Sequence, residues 1–272
     1  MIALLVVPAV LGLVGPTWPA AGAGVTAAAA ATALPAGVSG LAGAPGPAAG
    51  APGWAAGARD TATVVLLHGL GRSELSMARM ARSLEAEGFR VVNLGYPSRA
   101  HRVATLVDTL AAELAACCAD AAPLHFVTHS LGGILVRAWV HETGPANLGR
   151  VVMLSPPNQG SEVVDRLPDR LLELVMGPAA VQLGTGPESV PLELPPVDFE
   201  LGIITGDATL NPLFSWWLPG EDDGMVAVRS ARVAGADDFL VVPYTHTLIM
   251  HRGRVIEQVV SFLETGRFRE DG

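Results

Sequence analysis

The chain has 272 residues, of which 50% are hydrophobic and 16% are charged, so it is long enough and apolar enough to bury a large core. Its formal net charge of −9 at pH 7 argues against nucleic acid as a partner, because clustered basic side chains bind a phosphate backbone. An acidic balance fits an enzyme that acts on uncharged substrates.

The first 58 residues contain no charged side chain. Residues 2–14 form an apolar run and residues 21–23 resemble a signal-peptide cleavage site, although no basic residue precedes the run and Pro8 interrupts it. The Ala/Gly/Pro-rich stretch that follows is typical of a linker. Three alternatives stay open: a signal peptide, a membrane anchor, and a translated region upstream of a misassigned start codon. Export or membrane association through this segment is favoured over a cytoplasmic location.

From residue 59 to residue 272, patterns typical of strands and helices alternate with short connections. Apolar β-rich runs predict strands, and apolar residues at helical spacing predict amphipathic helices. This alternation predicts one α/β domain with a mostly parallel central sheet, right-handed crossovers and helices on both faces. The predicted strands are 63–67, 89–94, 123–129, 150–154, 199–205 and 239–242, and the predicted helices are 73–87, 101–119, 134–140 and 252–263.

One part of this domain departs from simple alternation. Between residues 157 and 198 an amphipathic piece, 163–176, is followed by a Gly/Pro-rich stretch, and we expect this cap segment to cover the site.

The two cysteines, Cys117 and Cys118, are neighbours in a predicted helix. Adjacent residues do not easily reach disulfide geometry, so we expect no crosslink, and no partner at metal-ligand spacing accompanies them.

A candidate nucleophile lies where the third strand meets the helix that follows it. Ser130 occupies this sharp turn, and the small residues Gly132 and Gly133 make room for its strained backbone. The turn exposes a hydroxyl at the carboxyl end of a sheet and at the amino terminus of a helix, where the helix dipole favours a nucleophile. We therefore predict that Ser130 is catalytic.

A serine nucleophile needs a base, and the base needs an orienting acid. We predict His246 as the base because it follows the last strand directly, whereas its rival His251 starts the terminal helix. Asp223 is the preferred acid, since the turn that it begins would hold its carboxylate in place. Asp207 is the main alternative and Asp222 is a third candidate.

The oxyanion of a tetrahedral intermediate needs two backbone donors. We predict the amide of Leu131, immediately after the nucleophile, and the amide of Leu70, which follows His68 and Gly69 at the end of the first strand. The glycine lets that loop approach the substrate.

With these residues in place, the chain from about residue 61 to 268 resembles the α/β-hydrolase superfamily, and within it bacterial lipase-like and esterase-like proteins. The resemblance implies the α/β-hydrolase fold, a Ser130–Asp223–His246 triad, and an oxyanion hole formed by Leu70 and Leu131. It also favours Asp223, because lipase-like relatives carry the acid in an Asp-Gly-x-Val turn. One departure is Thr128, which stands where the nucleophile pattern usually has its first glycine. The matching stretches are 65–71, 128–133, 155–161, 223–226 and 245–247.

The resulting hypothesis is a serine hydrolase that cleaves carboxylic esters through an acyl-enzyme on Ser130. Its substrate would be a small-molecule ester or a lipid, and neither a metal nor an organic cofactor is needed. An acyltransferase or an amidase with the same triad is an alternative, because the triad does not encode the acyl acceptor. A non-catalytic binding protein of the same fold is another alternative.

Overall fold

The computed structural model describes residues 62–270, whose central element is a six-stranded sheet. All of the described strands pair in parallel with their neighbours, in the order β2-β1-β3-β4-β5-β6. Their carboxyl ends therefore meet at one edge of the sheet, from which the loops with the candidate residues emerge. The strands are β1 (Thr63–Leu67), β2 (Arg90–Leu94), β3 (Leu124–His129), β4 (Leu148–Leu154), β5 (Leu201–Gly206) and β6 (Asp238–Val242).

Helices cover both faces of this sheet, as the alternating pattern predicts. Helices α1 (Ala78–Ala86) and α8 (Gly253–Thr265) pack on one face, and α2 (Val103–Cys118) and α3 (Leu131–Thr143) pack on the other. The shorter helices α4 (Glu162–Asp165), α5 (Asp169–Met176) and α6 (Val190–Glu193) lie between β4 and β5, and α7 (Pro212–Trp217) lies between β5 and β6.

The buried side chains divide into two main layers because successive residues of a strand point to opposite faces. Phe126 and Met153 lie in the layer that packs against α2 and α3. Val127 and Leu154, their neighbours along the same strands, lie in the layer that packs against α1 and α8. The sheet is thus buried on both sides, which explains why its central strands consist of nearly continuous apolar residues.

The cap segment contains three short α-helices, α4, α5 and α6. Its amphipathic piece is divided at Pro168, which precedes α5 directly. A proline ring clashes with the preceding turn of a helix, so it ends one helix and starts the next. Gly71 follows β1, and a Cβ placed on it would lie 3.4 Å from Met176 Cε, so the end of α5 contacts that loop.

Helix α7 lies in region 207–220, where no helix is predicted from the sequence. Asn211 caps it by accepting a hydrogen bond from the Phe214 amide, and Pro212 occupies its first position. Its inner side chains pack against α4. Trp217 is half-buried in this contact, whereas 81% of Trp216 is exposed.

The expectation for the cysteines is wrong. Cys117 and Cys118, the last two residues of α2, are bonded to each other through their sulfur atoms. Both lie in the final turn, where no further helical turn confines the backbone.

Across residues 62–270, no helix is long and apolar enough to cross a bilayer. The N-terminal segment 1–58, for which we predict a signal peptide, an anchor or a misassigned start, lies outside the described residues.

Candidate active site

Ser130 joins β3 to α3 in a backbone conformation that few L-residues adopt, with φ 52° and ψ −120°. Two main-chain hydrogen bonds hold it there: the Ser130 amide donates to Leu154 O at 2.9 Å, and the Gly133 amide donates to Ser130 O at 3.0 Å. Strain of this kind costs on the order of 1–3 kcal/mol and persists only where the surroundings fix it. The turn thus places the hydroxyl at the amino terminus of α3.

The two glycines that follow Leu131 lie in close packing, and a side chain at Gly132 would clash with the main chain. A Cβ on Gly132 would lie 2.9 Å from Leu67 O at the end of β1. A Cβ on Gly133 would lie 3.2 Å from Thr128 Oγ1. Position 133 thus leaves room for Thr128, which explains how the chain accommodates its departure from the usual nucleophile pattern.

Asp223 and His246 form a buried pair at the same edge of the sheet. Asp223 Oδ2 lies 2.9 Å from His246 Nδ1, and the His246 amide donates to Asp223 O, also at 2.9 Å. Asp223 Oδ1 accepts from the Val226 amide at 2.8 Å and from the Met225 amide at 3.0 Å. Since a carboxylate only accepts, Nδ1 carries the proton and Nε2 of the neutral ring keeps its lone pair. This is the tautomer that a general base requires.

The two alternative acids, Asp207 and Asp222, lie in environments that differ from that of Asp223. Asp207 is exposed after β5, and its amide donates to Val242 O. Asp222 is buried, but its Oδ1 accepts from the Gly224 amide at 2.8 Å and its Oδ2 accepts from Ser215 Oγ at 2.5 Å. Of the three aspartates, Asp223 is the one that the structure pairs with His246.

The loop after β1 lies against the nucleophile. A Cβ on Gly69 would be 2.6 Å from His129 Nδ1 and 3.2 Å from Ser130 Cβ, so this close approach requires glycine. Leu70, the predicted oxyanion donor, comes next in the loop. The other predicted donor, Leu131, is the first residue of α3, where an amide has no acceptor within the helix.

His68 fixes the conformation of this loop. Its Nδ1 lies 2.9 Å from Gly69 O, its Nε2 accepts from the Tyr96 amide, and the Tyr96 hydroxyl donates to His68 O at 2.6 Å. The two rings stack with centroids 4.2 Å apart. Burial lowers the pKa of His68, which keeps the ring neutral and suited to these partners.

The remaining histidines divide into exposed and buried ones. His101 and His141 are exposed, and His251, the rival base, lies half-buried in a short turn before α8. His125 is buried on β3, where its Nδ1 accepts from the Arg150 amide at 2.7 Å, and burial lowers its pKa to about 4. His129 is buried beside the pair formed by Asp223 and His246.

The described residues bring no group of three or more His, Cys, Asp or Glu side chains together in a way that could hold a metal ion.

Comparisons with known proteins point to one fold. A family described as palmitoyl protein thioesterase matches residues 63–185. The mature Bacillus licheniformis lipase BlEst2 is 21% identical, with a TM-score of 0.58 over 76% of this chain and 93% of that chain. The metagenomic carboxyl esterase MGS0156 is 19% identical, with a TM-score of 0.59 over 77% of this chain and 71% of that chain. No curated protein sequence matches significantly.

The protein has the α/β-hydrolase fold. The fold prediction is therefore confirmed, with a fully parallel sheet in the described residues. In α/β sheets, ligands bind at the carboxyl ends of the strands, which is the edge where Ser130, Asp223 and His246 lie. Their catalytic roles stay predictions.

Two features of this site are not predicted from the sequence. One is the contact between Tyr96 and His68, because the position of Tyr96 after a strand is equally consistent with exposure to solvent. The other is His129, which alternation along β3 places on the opposite side of the sheet from Thr128. Its partner is 117 residues away in sequence, so no local pattern could identify it.

Proposed function

We propose that this protein is a serine hydrolase that cleaves carboxylic esters through an acyl-enzyme on Ser130. The observation that carries the proposal is the buried Asp223–His246 pair, in which two main-chain amides hold the carboxylate. A buried carboxylate fixed in this way holds the imidazole in one tautomer and stabilises the imidazolium that forms during proton transfer.

The proposed reaction assigns one role to each of these residues. Ser130 Oγ attacks the ester carbonyl while His246 Nε2 takes its proton, and the Leu70 and Leu131 amides donate to the oxygen that becomes negative. The tetrahedral intermediate then collapses: the bond from the carbonyl carbon to the leaving oxygen breaks, His246 gives its proton to that oxygen, and the alcohol departs from the acyl-enzyme. Water attacks the acyl-enzyme with His246 as the base again, which releases the acid and restores Ser130.

Thioesters are the second candidate substrate class, because the matching family is described as a thioesterase. A thiol is the better leaving group, and the same residues would carry out both reactions. Comparing one acyl group as its p-nitrophenyl ester and as its thiocholine ester separates the two classes. The ratio of kcat/KM for the thioester to kcat/KM for the ester is compared with the ratio of their rate constants for hydrolysis by hydroxide. An enzymatic ratio larger than the hydroxide ratio would assign the protein to thioester cleavage.

The direct activity test uses the full chain with p-nitrophenyl esters of acetate, butyrate and palmitate. Ser130→Ala is expected to lower kcat by about 10⁴-fold or more. Ser155→Ala is the matched control, because Ser155 also ends a central strand at positive φ, and its buried hydroxyl has no partner among the described residues. It is expected to keep activity within about twofold, since it removes a hydroxyl that makes no bond.

Three results would contradict the proposal or redirect it. Activity that survives in Ser130→Ala would show that Ser130 is not the nucleophile. A folded wild-type protein that cleaves none of the esters or thioesters would favour the binding protein. Faster transfer of the acyl group to an added alcohol or amine than to water would favour the acyltransferase.

A further inference from the structure

His129 lies between three parts of the proposed catalytic site. It is the last residue of β3 and directly precedes Ser130, and it is almost fully buried. Its Nε2 lies 2.9 Å from the main-chain oxygen of His246, and the two imidazole rings pack with centroids 4.8 Å apart. On its other side, His129 Nδ1 faces Gly69 so closely that a Cβ there would be 2.6 Å away.

These contacts determine which nitrogen carries the proton. A carbonyl oxygen only accepts hydrogen bonds, so His129 Nε2 must be the donor to His246. Nδ1 then holds a lone pair, and it has no hydrogen-bond partner among the described residues. Burial lowers the pKa of His129 well below its ordinary value, and the neighbouring His246 imidazole and Arg72 guanidinium act in the same direction. The donor is therefore present throughout the neutral pH range.

We propose that His129 is a positioning residue that sets the place of His246 relative to Ser130 and to the loop at Gly69. This inference rests on the proposed function. His246 lies in the loop between β6 and α8, and among the described residues Asp223 is the hydrogen-bond partner of its ring. The bond from His129 fixes the main chain of the same residue from the strand that carries Ser130. A neutral donor achieves this without placing a positive charge against the imidazolium that forms in catalysis.

A residue that only fills space would behave differently from one that positions the base. Effective proton transfer depends on sub-ångström placement of the base, so loss of the bond should reduce kcat and leave KM nearly unchanged. Loss of core packing alone would reduce the unfolding midpoint without such a selective effect.

The test compares three variants of the full chain. His129→Phe keeps an aromatic ring and removes the donor, whereas His129→Gln keeps an N–H that can reach the same carbonyl. His125→Phe is the matched control, because His125 is a second buried histidine on β3, four residues earlier and away from the site. Steady-state kinetics with p-nitrophenyl butyrate are measured beside thermal unfolding.

We expect His129→Phe to lower kcat by about tenfold to a hundredfold with KM within about twofold. His129→Gln should recover at least half of the loss on a logarithmic scale, and His125→Phe should keep kcat within about twofold. In the folded wild type, nitrogen-15 chemical shifts should show His129 protonated at Nε2 alone from pH 5.5 to 8.5.

The inference and the proposed function fail in different ways. If the wild type has no esterase or thioesterase activity, the proposed function fails, and the nitrogen-15 spectrum still tests the tautomer. If the wild type is active and His129→Phe keeps its kcat, His129 does not position the base. Equal losses of kcat in His129→Phe, His129→Gln and His125→Phe would likewise overturn the inference, because they would reflect packing alone.

Discussion

At the scale of single residues, the site depends on one carboxylate that is held by main-chain amides. Asp223 accepts from the Met225 and Val226 amides with one oxygen and contacts His246 with the other. Its neighbour Asp222 uses the same turn to bond Ser215 of α7. The two adjacent buried aspartates therefore have different roles. Asp223 orients the imidazole of His246, and Asp222 links the turn to α7.

Replacing Asp223 by Asn should lower kcat by about 10³- to 10⁴-fold, because an amide can donate to His246 Nδ1 and favour the wrong tautomer. Asp207→Asn is the control, since Asp207 is exposed and the structure gives it no contact with His246. It should keep kcat within about twofold, as surface substitutions usually do. Initial rates with a p-nitrophenyl ester decide between the two aspartates. A larger loss in Asp207→Asn than in Asp223→Asn would reverse the assignment.

Much of the site could be predicted at this scale because its signals are local. An apolar run, a serine and two glycines indicate a strand, a tight turn and a helix within ten residues. The residues alone leave Asp223 and Asp207 both open as partners of His246, because each aspartate follows a segment that could aim a carboxylate at the site. The contacts of His129 and Tyr96 could not be predicted, since their partners come from distant parts of the chain.

At the scale of elements, the buried guanidinium of Arg137 joins α3 to two loops. Arg137 on α3 donates from Nη1 to Asn158 Oδ1 at 3.0 Å and from Nη2 to Pro195 O at 3.1 Å. Burial lowers the pKa of Arg137 to about 10, so the side chain stays protonated at neutral pH. Its bonds attach α3 to the start and to the end of the cap segment.

Replacing Arg137 by Gln should lower the free energy of unfolding by about 2–4 kcal/mol, because it leaves buried carbonyl groups without a charged donor. Arg170→Gln is the control, since Arg170 is exposed on α5, and it should change stability by less than about 0.5 kcal/mol. Equilibrium unfolding in urea measures both variants. A loss of similar size in the two would show that the buried bonds contribute little.

The elements themselves were predicted well where burial follows a regular period. Strand β1 has the predicted bounds, and the other described strands differ from prediction by at most a few residues at their ends. The cap segment and α7 were predicted poorly, because short helices with prolines at their starts lack the several turns over which helical spacing can be recognised. The bond between Cys117 and Cys118 at the end of α2 is not predicted, because adjacent residues do not easily reach disulfide geometry.

At the scale of the whole molecule, several buried histidines make the stability of the fold depend on pH. His125 has a pKa of about 4 in the folded protein because burial disfavours its charged form, against about 6.5 in the unfolded chain. Between these values the unfolded chain binds a proton that the folded protein does not. Stability therefore rises with pH from about 4 to 6.5 and is lost as the pH falls through this range.

This group alone should contribute about 3 kcal/mol to the change between pH 7.5 and pH 4, because each unit of pKa shift corresponds to about 1.4 kcal/mol. Urea unfolding of the wild type and of His125→Phe at several pH values measures the contribution as a difference in slope. His101→Gln, which alters an exposed histidine, should keep the slope of the wild type. Equal slopes in the wild type and His125→Phe would contradict the assignment of a depressed pKa to His125.

If Ser130 is an activated nucleophile, a fluorophosphonate should label it. The full chain, Ser130→Ala and Ser155→Ala are treated with the reagent and read by intact mass and peptide mapping. We expect one adduct on Ser130 in the wild type and in Ser155→Ala, and none in Ser130→Ala. A folded wild-type protein that takes up no label, or that carries it on another residue, would show that Ser130 is not the activated nucleophile.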